Sequence, residues 1–284
     1  MDFNFHSPFH LMLMKQILLI GCGWYGWPLA EYLTDKGYIV HGSTTTEEKV
    51  SLLKKNKING FLFRLTNNLE VIPADAVKSD YLIFNIPPGS NAEEDFNFSF
   101  EVRRLIQYLF LKNPRIKIIF ISSTSVLDDY SGEVDEDSPS IVKQGNGALL
   151  AQLEKWILTM LPNTTILRFA GLYGDGRHPA KYLTGRKGLR NGAMRVNLTH
   201  IDDALGSTIH VLKNQIEGEI IHVCASDHPT RKQYYTKACE QLKLEAPEFL
   251  PDDEENTGKI IDNTKLTKKL EYKLIRPSCF MGID

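Results

Sequence analysis

The sequence predicts an α/β protein, a doubly wound parallel sheet with a small C-terminal substrate lobe. Short apolar runs alternate with segments of helical periodicity over the first 170 residues. The first run leads straight into Gly21, Gly23 and Gly26, a G-x-G-x-x-G turn, and a helical segment follows it. Hydroxyl-rich and glycine-rich stretches then stand at the ends of later apolar runs, where sheets of this kind bind ligands.

The elements follow in order. Ile17, Leu18, Leu19 and Ile20 are continuously apolar, as in a parallel strand covered on both faces. Trp27, Leu29, Ala30 and Leu33 recur at helical spacing, and Gly37 reads as the C-cap. Residues 38–42 read as a second strand, 47–57 as a helix and 61–65 as a third strand. Asp80 leads into a fourth apolar strand over 81–86, which Pro87, Pro88 and Gly89 stop. A helix over 96–111 ends at Asn113-Pro114, a fifth strand covers 116–121, a helix covers 146–161 and a sixth strand covers 164–169. Such βαβ alternation implies parallel pairing through right-handed crossovers. From Ala170 the chain is loop-rich, and it then predicts a helix over 202–213, a strand over 219–224 and a helix over 230–243. A proline and acid segment around residues 251–255 precedes a last strand and helix over 259–270. We divide the chain into an N-terminal extension (1–14, with Met14 as a second candidate start), a dinucleotide-binding domain (15–170) and an interleaved lobe (171–284).

Composition narrows the function. With 42% hydrophobic and 24% charged residues the chain has an ordinary globular balance, and a net charge of −2 gives no electrostatic case for nucleic acid or membrane surfaces. Cys22, Cys224, Cys239 and Cys279 show no CxxC spacing, so they read as free thiols of the cytoplasm and not as a metal site or disulfide frame. Leu19-Ile20-Gly21-Cys22 imitates a lipoprotein cleavage box. The apolar run before it is too short for an export signal, and no Lys or Arg stands among the first fourteen residues.

The glycine turn points to a dinucleotide, the other reading being a ligand-free turn. Gly21 permits the tight bend, Gly23 lets backbone approach a pyrophosphate, and Gly26 lets the helix pack on the strand. The helix N-terminus then faces the phosphates with a partial positive charge. An acid normally stands about 20 residues further on, where it binds the ribose 2′-hydroxyl of NAD. Here His41-Gly42-Ser43-Thr44-Thr45-Thr46 occupies that place, and no carboxylate appears before Glu47. Small hydroxyl residues leave room for a 2′-phosphate, which favours NADP over NAD. The same residues also suit the N-cap of the next helix.

Three further stretches carry polar chemistry: Ser122-Ser123-Thr124-Ser125 after the fifth strand, Arg168 to Arg177 after the sixth, and His200-Ile201-Asp202-Asp203. Together with the glycine turn, their order and spacing resemble the extended short-chain dehydrogenase/reductase superfamily, in its NAD(P)-dependent epimerase/dehydratase branch, from about residue 15 to 270. The resemblance implies a Rossmann fold and hydride chemistry, with Ser123 as the serine that hydrogen-bonds the substrate oxygen. Cofactor contacts are expected from Gly21, Gly23, Trp24, Tyr25 and Gly26 at the first turn, and from Ser43, Thr44 and Thr45 at the second. Asn85, Ile86, Pro87 and Ser122 are expected to continue the site, and Arg168, Ala170 and Gly171 to close it.

The chain departs from the family at two places. Members carry Tyr-x-x-x-Lys in the helix after the serine strand, with Tyr as general acid/base and Lys lowering its pKa. Asn146 and Leu150 stand at those positions, so the chain resembles the subgroup lacking the pair. Leu65-Thr66-Asn67 likewise stands where an adenine-side aspartate is expected after the third strand. Tyr173 and His178 are candidates by chain position to replace the missing acid/base, although Tyr173 also reads as a packing residue. Between Gly176 and Ile201 the chain has six Arg and Lys residues and no acid. Arg177, Arg195 and His200 are accordingly expected to bind a small anionic, nucleotide-sugar-like substrate, the other reading being a solvated basic loop. Apolar residues on more than one stripe of the helices at 97–111 and 146–161 (Phe98, Phe100, Leu105, Tyr108, Phe110, then Leu149, Leu153, Trp156, Leu158) fit the helix-paired homodimer of the family. Two functions follow: an NADP-dependent oxidoreductase or epimerase-like enzyme, or a catalytically degenerate NADP-binding sensor or partner-binding protein.

Overall fold

The computed structural model describes residues 15–89, 92–251 and 257–283; the N-terminal extension and most of the acidic segment near 251–255 lie outside them. The chain opens with β1 (Gln16–Ile20), α1 (Gly26–Asp35), β2 (Ile39–Thr44), α2 (Glu47–Lys55) and β3 (Asn59–Leu62). A short α3 (Ala74–Val77) leads to β4 (Tyr81–Phe84), α4 (Ala92–Lys112), β5 (Lys117–Ser123) and a short β6 (Gly132–Val134). Then come α5 (Gly145–Met160), β7 (Thr165–Phe169), β8 (Gly171–Tyr173), β9 (Leu198–His200) and α6 (Ile201–Asn214). β10 (Ile220–Val223), α7 (Arg231–Gln241) and β11 (Lys259–Ile261) complete the order.

Seven strands form one parallel sheet in the order β10-β7-β5-β4-β1-β2-β3. The order reverses between β1 and β4, and that switch point is where such sheets take their ligands. Successive side chains of a strand face opposite sides, and β1 shows the result. Leu18 and Ile20 join a core with Leu105 and Leu109 of α4 and Leu153 and Ile157 of α5. Ile17 and Leu19 join the opposite core with Leu29 and Leu33 of α1 and Val211 of α6. β10 comes from the C-terminal part of the chain, so sheet and lobe are interleaved. The lobe has its own small core, including Tyr173, Leu198, Tyr234 and Cys279.

Two carboxylates strap the C-terminal tail down. Asp203 accepts from Tyr272 Oη (3.0 Å), Ile275 N (2.7 Å) and Arg276 N (2.8 Å). Asp227 accepts from Ser278 Oγ (2.6 Å) and Cys279 N (2.7 Å). The four cysteines are free and buried. Among the described residues no helix is long and apolar enough to cross a membrane.

Several expectations shift. The third strand runs Asn59–Leu62, earlier than its apolar run, because pairing with His41–Thr44 of β2 sets its register, and Gly60 lies close against Leu53 of α2. The last helix is one π-type turn, Lys265–Lys269. On α4 and α5, Phe98, Leu105 and Leu153 are core residues, whereas Phe100 is 62% exposed. Arg168, expected at the cofactor, lies under the sheet instead. On β7 it shares the face of Ile166, and there it meets Glu154 of α5. Arg168 is 5% exposed and Glu154 3%. Nε donates to both carboxylate oxygens (3.2 and 3.1 Å) and Nη2 to Oε2 (2.7 Å).

Removing one member of a buried pair strands the other charge in a low dielectric, a loss of about 3–5 kcal/mol. Arg168→Met is therefore expected to destabilise the chain by that amount in chemical denaturation, and Arg168→Met with Glu154→Leu to recover most of it. A single-variant loss below about 1 kcal/mol, the range of an exposed pair, would show that the pair is not desolvated.

Candidate functional site

The site begins at the turn after β1. Gly21 has φ +108°, and a Cβ there would stand 2.7 Å from the Asn85 carbonyl oxygen. Its N–H donates to Ser43 Oγ (2.9 Å), and its carbonyl accepts from Asn85 Nδ2 (3.1 Å). Cys22 N donates to the Ser43 carbonyl (2.8 Å). The ends of β1, β2 and β4 are thus tied together at the switch point. A Cβ on Gly26 would run into the Gly21 carbonyl, so α1 sits hard against the turn. A Cβ on Gly23 would meet nothing within 4 Å. The first turn of α1 carries no acid to offset its dipole. A tight bend, an open glycine and an unopposed helix N-terminus are what a pyrophosphate requires, so the residues present fit a dinucleotide. Tyr25 Oη pairs with Thr208 Oγ1 (2.6 Å), which locks this end of α1 to α6.

From the turn, a cleft of about 740 Å³ runs across the C-terminal ends of the strands. Gly21, Gly23, Trp24 and Tyr25 line it after β1, and Ser43, Thr44 and Thr45 at the end of β2. Asn85, Ile86 and Pro87 line it after β4, Ser122 and Ser123 on β5, and Ala170 and Gly171 after β7. Of the residues expected at the cofactor, only Gly26, beneath the turn, and Arg168 are not on its wall. Lys49 and Arg177 also line it, and no Asp or Glu does among the described residues.

One cation escaped the sequence reading. Arg64, just beyond β3, donates from Nη2 to the Thr45 carbonyl (3.2 Å). The hydroxyl turn after β2 offers no cation before Lys49, but β3 neighbours β2 and brings Arg64 to the same edge. The signal was available in the strand order, which sets the residue after the third strand beside the end of the second.

At the other end, Ser123 Oγ accepts from Ser125 N (3.1 Å). Ser122 Oγ donates to Glu154 (2.5 Å), so the buried ion pair reaches the cleft floor through a hydroxyl. Arg168 continues the chain of contacts to His222 Nε2 (3.3 Å). Burial and the neighbouring guanidinium lower the pKa of His222 to about 4, so it is neutral at pH 7. Asn146 and Leu150 both line the cleft, and Asn146 Nδ2 donates to the Gly89 carbonyl (3.1 Å).

Tyr173 and His178, expected as candidate acid/base residues, stand elsewhere. β8 turns away from the sheet to pair with β9, and this carries Tyr173 beneath the C-terminal tail. Tyr173 is fully buried and donates to the Met281 carbonyl (2.9 Å), and desolvation pushes its hydroxyl pKa up. His178 is buried too, and its Nδ1 accepts from Ala180 N (3.1 Å). Burial, then the charge of Lys181, lower its pKa to about 4. His178 and His200 line a second cavity of about 470 Å³, with Arg276 and Asp202. His200 Nδ1 accepts from Asp202 N (3.1 Å) and caps α6. Arg195 donates to the His228 carbonyl (3.1 Å) and lines neither cavity. Of the three expected substrate contacts, only Arg177 is on the cleft wall.

The chain matches no protein-family model. Protein YeeZ of Escherichia coli K12 is 35% identical over 269 residues, which cover 93% of this chain and 97% of YeeZ. Among solved structures, UDP-glucuronic acid 4-epimerase from Bacillus cereus in complex with NAD has a TM-score of 0.73 at 20% identity, over 95% of this chain and 94% of that one. dTDP-glucose 4,6-dehydratase from Bacillus anthracis, also with NAD, has a TM-score of 0.74 at 16% identity, over 91% of each chain. A functionally unknown conserved protein from Silicibacter pomeroyi has a TM-score of 0.75 at 18% identity, over 95% of this chain and 96% of that one. At these identities the likeness is one of fold, the Rossmann fold of NAD-dependent epimerases and dehydratases. The chain belongs to the family of protein YeeZ.

Proposed function

We propose that this chain is an NADP(H)-binding protein whose cleft holds a small polar ligand beside the nicotinamide without a protein-borne proton donor. The observation that carries this reading is the wall beside Ser123, where Asn146 and Leu150 face the cleft. When bound, the cofactor supplies hydride chemistry at nicotinamide C4. Ser123 contributes a hydroxyl for the ligand oxygen while its own oxygen takes the Ser125 N–H. Asn146 exchanges hydrogen bonds but no proton at neutral pH, and Leu150 adds no charge to lower a neighbour's pKa. A second reading, reductive turnover with water as proton source, is favoured by Ser123 itself, which the cleft retains.

The NAD complexes of the fold neighbours support the dinucleotide class. Three features support NADP. Ser43, Thr44 and Thr45 leave room at the end of β2, Lys49 lines the same part of the cleft, and Arg64 reaches Thr45 from β3. No carboxylate among the described lining residues would repel a 2′-phosphate.

NADPH is expected to bind more tightly than NADH in calorimetric titration. Arg64→Ala and Lys49→Ala should each weaken NADPH about tenfold, near 1.4 kcal/mol, and leave NADH within about twofold. Equal losses for both cofactors would remove the 2′-phosphate assignment. A screen of aldehydes, ketones and nucleotide-sugars, followed by absorbance of the reduced cofactor, is expected to show binding without turnover. Asn146→Tyr combined with Leu150→Lys should raise reductive turnover. Wild-type turnover that Ser123→Ala abolishes would establish the second reading instead.

A further inference from the structure

Arg177 has no role in the reading above. It belongs to a turn that leaves the lobe and comes back over the glycine loop. Gly174 N donates to the Arg177 carbonyl (2.8 Å) and Arg177 N to the Gly174 carbonyl (3.0 Å), which closes the turn on itself. Gly174 and Gly176, with φ of +105° and +73°, permit the bend. Lys181 Nζ donates to the Gly176 carbonyl (3.2 Å) and holds the turn from behind.

The turn meets the glycine loop at Trp24. Trp24 Nε1 donates to the Asp175 carbonyl (3.4 Å), and the Arg177 guanidinium lies over the Trp24 ring, 5.3 Å from its centroid. A guanidinium over the face of an indole is attracted by the ring quadrupole, and its N–H fork remains available to an anion. Trp24 stands between Gly23 and Gly26, next to the open glycine and the N-terminus of α1. Trp24 and Arg177 both line the dinucleotide cleft.

We propose that Arg177, held over the Trp24 ring, is the counter-ion of the cofactor pyrophosphate, and that the 174–177 turn clasps the cofactor from the lobe side. This rests on the dinucleotide reading above and assigns Arg177 to the cofactor, not to an anionic substrate. Two phosphates at a glycine turn carry charge that a helix N-terminus alone offsets only in part, and a forked donor on the opposite side completes the cage. The cations then divide the cofactor between them: Arg64 and Lys49 serve the 2′-phosphate and Arg177 serves the pyrophosphate.

Calorimetric titration with three probes separates these roles. NADP⁺ carries both phosphate groups, ADP-ribose has the pyrophosphate alone, and adenosine 2′-monophosphate has the 2′-phosphate alone. Arg177→Ala is expected to weaken NADP⁺ and ADP-ribose at least about tenfold and leave adenosine 2′-monophosphate within about twofold. Arg177→Lys should fall between wild type and alanine, because it keeps the charge and loses the fork. Trp24→Leu should follow Arg177→Ala, and Trp24→Phe, which keeps a ring face, should bind ADP-ribose nearly as wild type does. An ADP-ribose affinity untouched by Arg177→Ala, or an equal loss for adenosine 2′-monophosphate, overturns the inference and leaves the dinucleotide reading standing. Wild-type protein that binds none of the three probes overturns both.

Discussion

The structure depends on how tightly α1 is pressed against the turn that follows β1. The contact leaves no room for a side chain at Gly26, because the Gly21 carbonyl fills the place of its Cβ. It is held from three sides: Ser43 takes the Gly21 N–H, Asn85 donates to the Gly21 carbonyl, and Tyr25 bonds Thr208 of α6. The helix N-terminus therefore points into the cleft as a fixed dipole. Rigid donors of this kind stabilise an anion without reorganising to meet it.

Charge is distributed to match. On the described cleft wall the charged side chains are cationic, and Arg64 adds another at its edge. Glu154 lies just below the floor, but the contact of both its oxygens with Arg168 neutralises it, and the Ser122 hydroxyl links it to the cleft. His222 at the far end of that chain of contacts stays neutral. The protein thus keeps a buried carboxylate within one hydroxyl of the cleft without making the site repel phosphate. The part of the wall formed by Ser123, Asn146 and Leu150 is uncharged as well.

Much of the fold was legible because local pattern and global topology agree. Four apolar residues, three spaced glycines and an amphipathic helix define β1, the turn and α1, and parallel pairing follows from βαβ alternation. The strand-end positions of the cleft were legible for the same reason, since the C-terminal ends of neighbouring parallel strands converge on one edge. Contacts that depend on register between distant elements were not. Arg168 reads as a strand-end cation, but its sheet face is set by β7 and its partner by α5, fourteen residues earlier in the chain. Arg64 looks remote from Thr45 until β3 is laid beside β2. Tyr173 stands two residues past the cleft-lining Gly171, yet the pairing of β8 with β9 turns it into the lobe core. The small strands β6, β8 and β9 are three residues each, too short to leave a periodic signal.

A crystal structure with NADP⁺ bound tests the central claim most directly. The 2′-phosphate is expected within hydrogen-bond distance of Arg64 and Lys49, the pyrophosphate between Gly23 and Arg177, and the nicotinamide against Ser123, Asn146 and Leu150. A dinucleotide whose 2′-phosphate points away from Arg64, or a Tyr, His or carboxylate side chain within hydrogen-bond distance of the ligand space at nicotinamide C4, would contradict it.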